Sequence, residues 1–108
     1  MRRQGRAAVL VRIRQLASLR RVRFTMKALQ ELARLDMRLD EEDACDVLAT
    51  LAPSDLVERL ASKKTGEWMY VFKPSIGGSV VYVKVVLRSD CVVISFHDEG
   101  DHGDEDDE

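Results

Sequence analysis

The sequence predicts an α+β fold, with N-terminal helices packed on a small C-terminal antiparallel sheet. Three observations predict it. Apolar residues recur at helical spacing as far as residue 60, and from residue 68 to 96 they give way to β-branched and aromatic runs separated by tight turns. At 108 residues the chain has room for one modest core. A single domain over 1–97 is expected, followed by an acidic tail over 98–108 whose composition is that of a disordered segment.

The elements follow in order. Arg2 to Arg6 reads as a frayed start. A helix begins near Ala7 and places Val9, Ile13, Leu16 and Ala17 on one stripe, with Arg12 and Arg14 outside it. Leu19 to Thr25 is a connector with a short extended piece at Val22 to Phe24, and Thr25 caps a second helix that presents Ala28, Leu29, Leu32 and Leu35. Asp40 caps a third helix. Glu41, Glu42 and Asp43 crowd its first turn, where they complement the positive end of the helix dipole, and Ala44, Val47, Leu48 and Leu51 form its inner face. Pro53 stops that helix. Ser54 offers another cap, and Asp55 to Leu60 reads as one or two helical turns with Leu56 and Leu60 inward.

After a loop from Ala61 to Glu67, three strands are predicted: Trp68 to Lys73, Val80 to Leu87 and Cys91 to Phe96. Pro74 to Gly78 and Ser89-Asp90 supply the turns, so an antiparallel meander is the economical arrangement. Cys91 to Phe96 is expected as an open edge, available for pairing with a second copy. Within a strand, side chains two apart share a face. Val81, Val83, Val85 and Leu87 therefore form a buried face, and Val80, Tyr82, Lys84, Val86 and Arg88 the opposite one. With Lys73 on the Tyr82 side, one surface gathers two lysines, an arginine and a phenol. Such a surface suits a phosphate; it also suits an ordinary solvated sheet face.

The net charge of −2 conceals a strong polarity. Residues 1 to 27 hold nine basic side chains and no acid, whereas residues 98 to 108 hold eight acids and no Lys or Arg. Without those eight acids the body carries +6, a balance that suits a nucleic-acid partner. The arginines of the first helix either solvate its wet side or track an RNA backbone. The tail either acts as a solubilising extension or folds back over the basic face and competes with RNA. Arg12 and Arg14 interrupt the only run resembling a secretory signal, and no run is long enough to span a membrane, so a cytoplasmic protein without membrane contact is expected. Cys45 and Cys91 are then reduced core residues.

Several chemistries lack their parts. The two histidines, His97 and His102, lie at the edge of the acidic tail, which offers no positioned imidazole for nucleophilic catalysis and no rigid metal-ligand pair. Gly77-Gly78 falls between strands and reads as a hairpin turn, not a phosphate loop. The carboxylates of the folded part cluster on a helix N-terminus. No cofactor or metal is expected, and activity should persist in EDTA. What remains is the Lys/Arg/Tyr face with the loop lysines Lys63 and Lys64. Such groups can cleave RNA without a metal: a base takes the proton of the ribose 2′-hydroxyl, which attacks the adjacent phosphorus, and cations stabilise the charge that develops.

The stretches Val71-Phe-Lys-Pro74, Val81-Tyr-Val-Lys-Val-Val86 and Val92-Val-Ile-Ser-Phe96 carry a family resemblance, continued upstream by Val22-Arg-Phe-Thr25, the helix from Met26 to Leu35 and Leu51-Ala-Pro-Ser-Asp55. In this order and spacing the chain resembles the MqsR family, the mRNA-cleaving toxins of bacterial toxin–antitoxin systems. The resemblance implies a RelE-like fold and a ribosome-independent, sequence-selective endoribonuclease with mRNA as substrate. It also implies a cognate antitoxin, with DNA contact expected from that antitoxin and not from the toxin alone. Tyr82 matches the family's active-site tyrosine, Lys73 its arginine before the proline, and Lys84 a family lysine. The chain departs from the pattern at two places. A family glutamine becomes Met69, and a family lysine falls at Glu58 or, one residue on, at Arg59. Arg59 is the expected substitute, so Tyr82, Lys73, Arg59 and Lys84 are the candidate catalytic set, with Lys63, Lys64 and Arg88 holding the RNA. The alternative is a catalytically weak or inactive module of the same fold that binds RNA or protein, favoured by the loss of the glutamine at Met69.

Overall fold

The computed structural model describes residues 5–100. The elements in order are α1 (Arg6–Ser18), β1 (Val22–Phe24), α2 (Met26–Arg34), α3 (Glu41–Ala49), a 3₁₀ turn (Pro53–Asp55), β2 (Leu56–Ala61), β3 (Trp68–Phe72), β4 (Ser75–Ile76), β5 (Ser79–Leu87) and β6 (Cys91–Asp98). The α+β arrangement is as expected. The expected frayed start over Arg2 to Arg6 is corrected at Arg6, which is helical. The expected disordered tail over 98–108 is corrected at its beginning, where Asp98 ends β6 and Glu99 and Gly100 are hydrogen-bonded in the turn that follows. Residues 1–4 and 101–108 lie outside the described residues.

Local chemistry accounts for the helices. Thr25 Oγ1 accepts the Ala28 N–H at 3.1 Å and opens α2. At α3 the caps are reciprocal: Asp40 Oδ1 accepts the Asp43 N–H at 2.8 Å, and Asp43 Oδ2 accepts the Asp40 N–H at 3.0 Å. α1 begins one residue earlier than expected. Its arginines also do more than solvate it: the Arg6 guanidinium donates to the Leu56 carbonyl at 2.6 Å, and Arg14 Nε donates to the Leu51 carbonyl at 2.8 Å. Both clamp α1 to the chain entering β2.

The sheet is larger than the predicted meander. Its order is β1-β6-β5-β3-β2, with the two-residue β4 added to β5. The predicted core of the meander holds: β3, β5 and β6 pair antiparallel. Two corrections concern its edges. Residues 56–61 form a strand, not a helix, and pair antiparallel with β3. Leu56 and Leu60 are spaced for one helical face, but a bulge at Val57 separates them: Leu56 opposes Phe72 in the core, whereas Leu60 opposes Met69 on the other face. The demand of β3 for a partner overrides the local pattern. Second, β6 is not an open edge, because β1 pairs with it in parallel over Val22↔Cys91 to Phe24↔Val93. Gly77 (φ 57°) and Gly78 (φ 85°) turn β4 into β5; positive φ at both central residues is what a tight hairpin of this hand requires.

One core lies between the helices and the sheet. Val9, Ile13 and Leu16 of α1, Ala28 of α2 and Leu48 of α3 meet Phe72, Val81, Val83, Val85, Val93 and Phe96. A bulge in β6 makes this possible. Val85 opposes Val93 and Lys84 opposes Ser95, which leaves Ile94 extra and brings Val93 and Phe96, three apart, to the same face. Cys45 and Cys91 are free and buried, as expected, and burial pushes the Cys91 thiol up to about 12. No helix among the described residues is long and apolar enough to cross a membrane.

Candidate functional site

The candidate site lies on the sheet face turned away from the core. Met69, Val86 and Ile94 form a small apolar cluster on that face, with Leu60 and Val92 packed against it. Lys84 and Ser95 oppose each other directly and are only 5% and 2% exposed. Two residues further along β5, Tyr82 opposes His97, and the two rings stack with centroids 4.9 Å apart at an interplanar angle of 16°.

His97 corrects the expectation that no positioned imidazole exists. It belongs to β6 and is buried. Its Nδ1 lies 2.7 Å from the Asp98 carbonyl oxygen. A carbonyl only accepts, so Nδ1 carries the hydrogen, which leaves Nε2 as the nitrogen able to accept a proton. His97 also lines a cavity of about 610 Å³ between the end of α2, the segment after it and the β4–β5 turn, with Glu31, Arg34, Met37, Ile76 and Asp98 among its walls.

Lys73 follows β3 directly, and its N–H donates to the Asp55 carbonyl at 2.8 Å. Its ammonium pairs with Glu99 Oε2 at 2.8 Å. The hydrogen bond to Glu99 is the main reason its pKa is raised, and Tyr82 and Glu58 act on it electrostatically in the same direction. Lys73, Tyr82 and Lys84 thus share one face, as alternation predicts. Behind them α2 supplies a support that sequence reading misses. Lys27 Nζ donates to Ser95 Oγ at 2.8 Å and pairs with Glu31 Oε2 at 3.0 Å, while Glu31 Oε1 accepts the Phe96 N–H at 2.9 Å. β1 pairs with β6 only as far as Val93, so Glu31 satisfies a backbone donor that would otherwise be buried and unpaired. The signal is present in the sequence: with Ala28, Leu32 and Leu35, Glu31 completes an i, i+3, i+4, i+7 stripe, an unusual place for a carboxylate.

The remaining predicted residues lie elsewhere. Arg59 opposes Tyr70, a core residue, so it points to the opposite face from Tyr82, and its guanidinium covers the Trp68 ring at 4.7 Å from the centroid. A shift of one residue in a strand exchanges faces, and it is Glu58, opposing Val71, that shares the Lys84 side. Arg88 follows the end of β5 on the Tyr82 side, six residues from Tyr82, or roughly 20 Å at strand rise. It is held by Glu67, with Nη2–Oε1 at 2.7 Å and Nε–Oε2 at 3.0 Å. Lys63 and Lys64 are exposed in the β2–β3 loop, Lys64 beside Arg88 and Met69 at that same far end.

The strand pattern carrying these groups has a counterpart among known proteins. A family model described as "Motility quorum-sensing regulator, toxin of MqsA" matches residues 7–98. The chain belongs to the MqsR toxin family. Membership gives it a toxin's role in a toxin–antitoxin pair and implies a cognate antitoxin as partner. No curated protein matches the chain significantly. The family match runs from Ala7, the second residue of α1, to Asp98 at the end of β6.

Proposed function

We propose that this MqsR-family chain is a metal-independent, sequence-selective endoribonuclease that cleaves mRNA. The observation that carries the reading is the Tyr82–His97 stack on the same face as Lys73 and Lys84. His97 Nε2 takes the proton of a ribose 2′-hydroxyl; the 2′-oxygen bonds to phosphorus, the bond from phosphorus to the 5′-oxygen breaks, and the leaving oxygen receives a proton. The products are a 2′,3′-cyclic phosphate and a 5′-hydroxyl. The Tyr82 hydroxyl donates to a non-bridging oxygen or exchanges a proton with the leaving group, and the Lys73 ammonium stabilises the charge on the phosphorane. Lys84, buried beside Ser95, adds fixed positive potential beneath the site. The cavity beside His97 has the size and mixed lining to receive a nucleobase next to the scissile phosphate. We assign Lys63, Lys64 and Arg88, at the far end of that face, to contacts with flanking phosphates, Arg88 exchanging its Glu67 partner for one.

The test is cleavage of a defined RNA by purified protein in EDTA, mapped by primer extension, beside Tyr82→Phe. Discrete cuts that fall by at least about a hundredfold in the variant are expected, with Tm nearly unchanged. Full activity in Tyr82→Phe would sink the assignment. A second reading, a module that binds without cutting, is favoured by Met69: where the resemblance calls for a glutamine, its side chain is 3% exposed inside an apolar cluster and presents no polar group. A folded wild-type protein that binds the RNA and leaves it intact would select that reading.

A further inference from the structure

The chain does not leave the sheet where β6 ends. The Glu99 N–H donates to the Val80 carbonyl at 3.0 Å, and the Gly100 N–H to Asp98 Oδ1 at 2.8 Å. These bonds pin the turn against the start of β5 and set the Glu99 carboxylate on the Lys73 ammonium at 2.8 Å. The two side chains are 43% and 36% exposed, so the pair faces solvent, on the side from which a substrate arrives. Any RNA phosphate that uses Lys73 meets a carboxylate already there. The chain then continues with six more acids among residues 101 to 108, so negative charge accumulates beyond this point.

We propose that Glu99 is a built-in competitor for the RNA phosphate at Lys73 and so a restraint on the site. This rests on the reading of that face as an RNA-cleaving site and adds its regulation. A carboxylate is a fair imitation of one edge of a phosphate, since both accept hydrogen bonds from an ammonium. It is also a weak competitor. Exposed ion pairs shift an equilibrium by about two- to five-fold, so an RNA held by several contacts at once displaces it, while a weakly held RNA does not. The restraint therefore raises the affinity a substrate needs without preventing turnover.

The test compares full-length wild type with Glu99→Gln, using an RNA oligonucleotide for cleavage and a 2′-deoxy-substituted version, which cannot be cut, for binding. At about 0.05 M NaCl, Glu99→Gln should bind the uncleavable RNA about two- to five-fold more tightly and show a correspondingly lower KM with unchanged kcat. The difference should shrink towards unity at about 0.5 M, where charge is screened. In a Lys73→Met background, Glu99→Gln should change binding by less than about two-fold, because the competition needs the ammonium. Thermal melting verifies that each variant is folded. Equal or weaker binding by Glu99→Gln at low salt overturns the inference, and so does a fall in kcat, which would make Glu99 a group that orients Lys73. Cleavage by both proteins with equal KM removes the inference alone. Failure of both to bind or cut removes the endoribonuclease reading with it.

Discussion

The two faces of β5 are built to different ends. On one, Val81, Val83 and Val85 are fully buried beneath the helices. On the other, Tyr82 and Lys84 alternate with them. Yet Lys84, Ser95 and His97 on this second face are only 5%, 2% and 8% exposed. Lys27 of α2 donates to Ser95, Glu31 pairs with Lys27 and accepts the Phe96 N–H, and the His97 ring stacks on Tyr82. The first face is apolar and replaceable in kind by any residues of the right volume. The second carries polar groups tied by hydrogen bonds to α2 and to the backbone, and on the proposed reading such bonds would hold reacting groups in place before a substrate arrives. Stability and chemistry are thus written on alternate residues of one strand.

Truncating the apolar face gives the largest expected effect. Phe72 is fully buried, and Phe72→Ala should cost about 3–5 kcal/mol through lost burial and an unfilled cavity. The urea midpoint reads this directly. Cleavage per folded molecule, measured well below the melting temperature, should stay within about two-fold of wild type, the inverse of the outcome expected for Tyr82→Phe. A folded Phe72→Ala protein that no longer cuts would mean that the two faces are mechanically coupled and that the comparison fails.

Glu31 joins the faces, so its replacement should register on both. Glu31→Ala leaves the buried Phe96 N–H without an acceptor and Lys27 without its carboxylate, at a cost of about 1–3 kcal/mol. Because Phe96 precedes His97, the same change should loosen the imidazole and lower kcat. Glu31→Gln keeps an acceptor for the N–H and should recover most of the stability. Rescue of stability but not of kcat would show that the Lys27–Glu31 pair itself supports the chemistry. Loss of neither in Glu31→Ala would show that the support from α2 is dispensable.

How far this division was legible in the sequence depends on the register. Alternation alone identifies the apolar face of β5 and groups Tyr82 with Lys84, because within a strand the period is fixed. The caps at Thr25 and Asp40 are legible for the same local reason. What alternation cannot supply is a bulge. Counted back from the Ser89-Asp90 turn in plain register, Tyr82 would oppose Phe96; the extra residue Ile94 brings His97 opposite instead, and the candidate base is found only there. The bulge at Val57 likewise decides which of Glu58 and Arg59 shares the Tyr82 face, and it reverses the expected choice. β2 itself read as a helix because Leu56 and Leu60 fit either pattern until a neighbouring strand requires a partner. The errors therefore collect where one residue is inserted, at the points that also aim the functional side chains.

The smallest expected effect concerns the two ends of the outer face, each of which holds a cation against a carboxylate: Lys73 with Glu99, and Arg88 with Glu67. Arg88 is far from Tyr82, so Arg88→Gln should leave kcat within about two-fold, with any loss confined to RNA binding, while slightly lowering stability, by about 0.2–1 kcal/mol for a pair this exposed. The pH dependence fixes the sign. The hydrogen bond from Arg88 holds Glu67 below its ordinary value of 4.5. Its contribution is therefore present above that value and lost as the pH falls through the lower folded one. Urea midpoints of wild type and Arg88→Gln should differ at pH 7 and converge in acid below that range. A difference that persists in acid would mean that Arg88 acts through packing. A large fall in kcat would move the reacting end of the face to include it, and the separation of roughly 20 Å would no longer divide the surface.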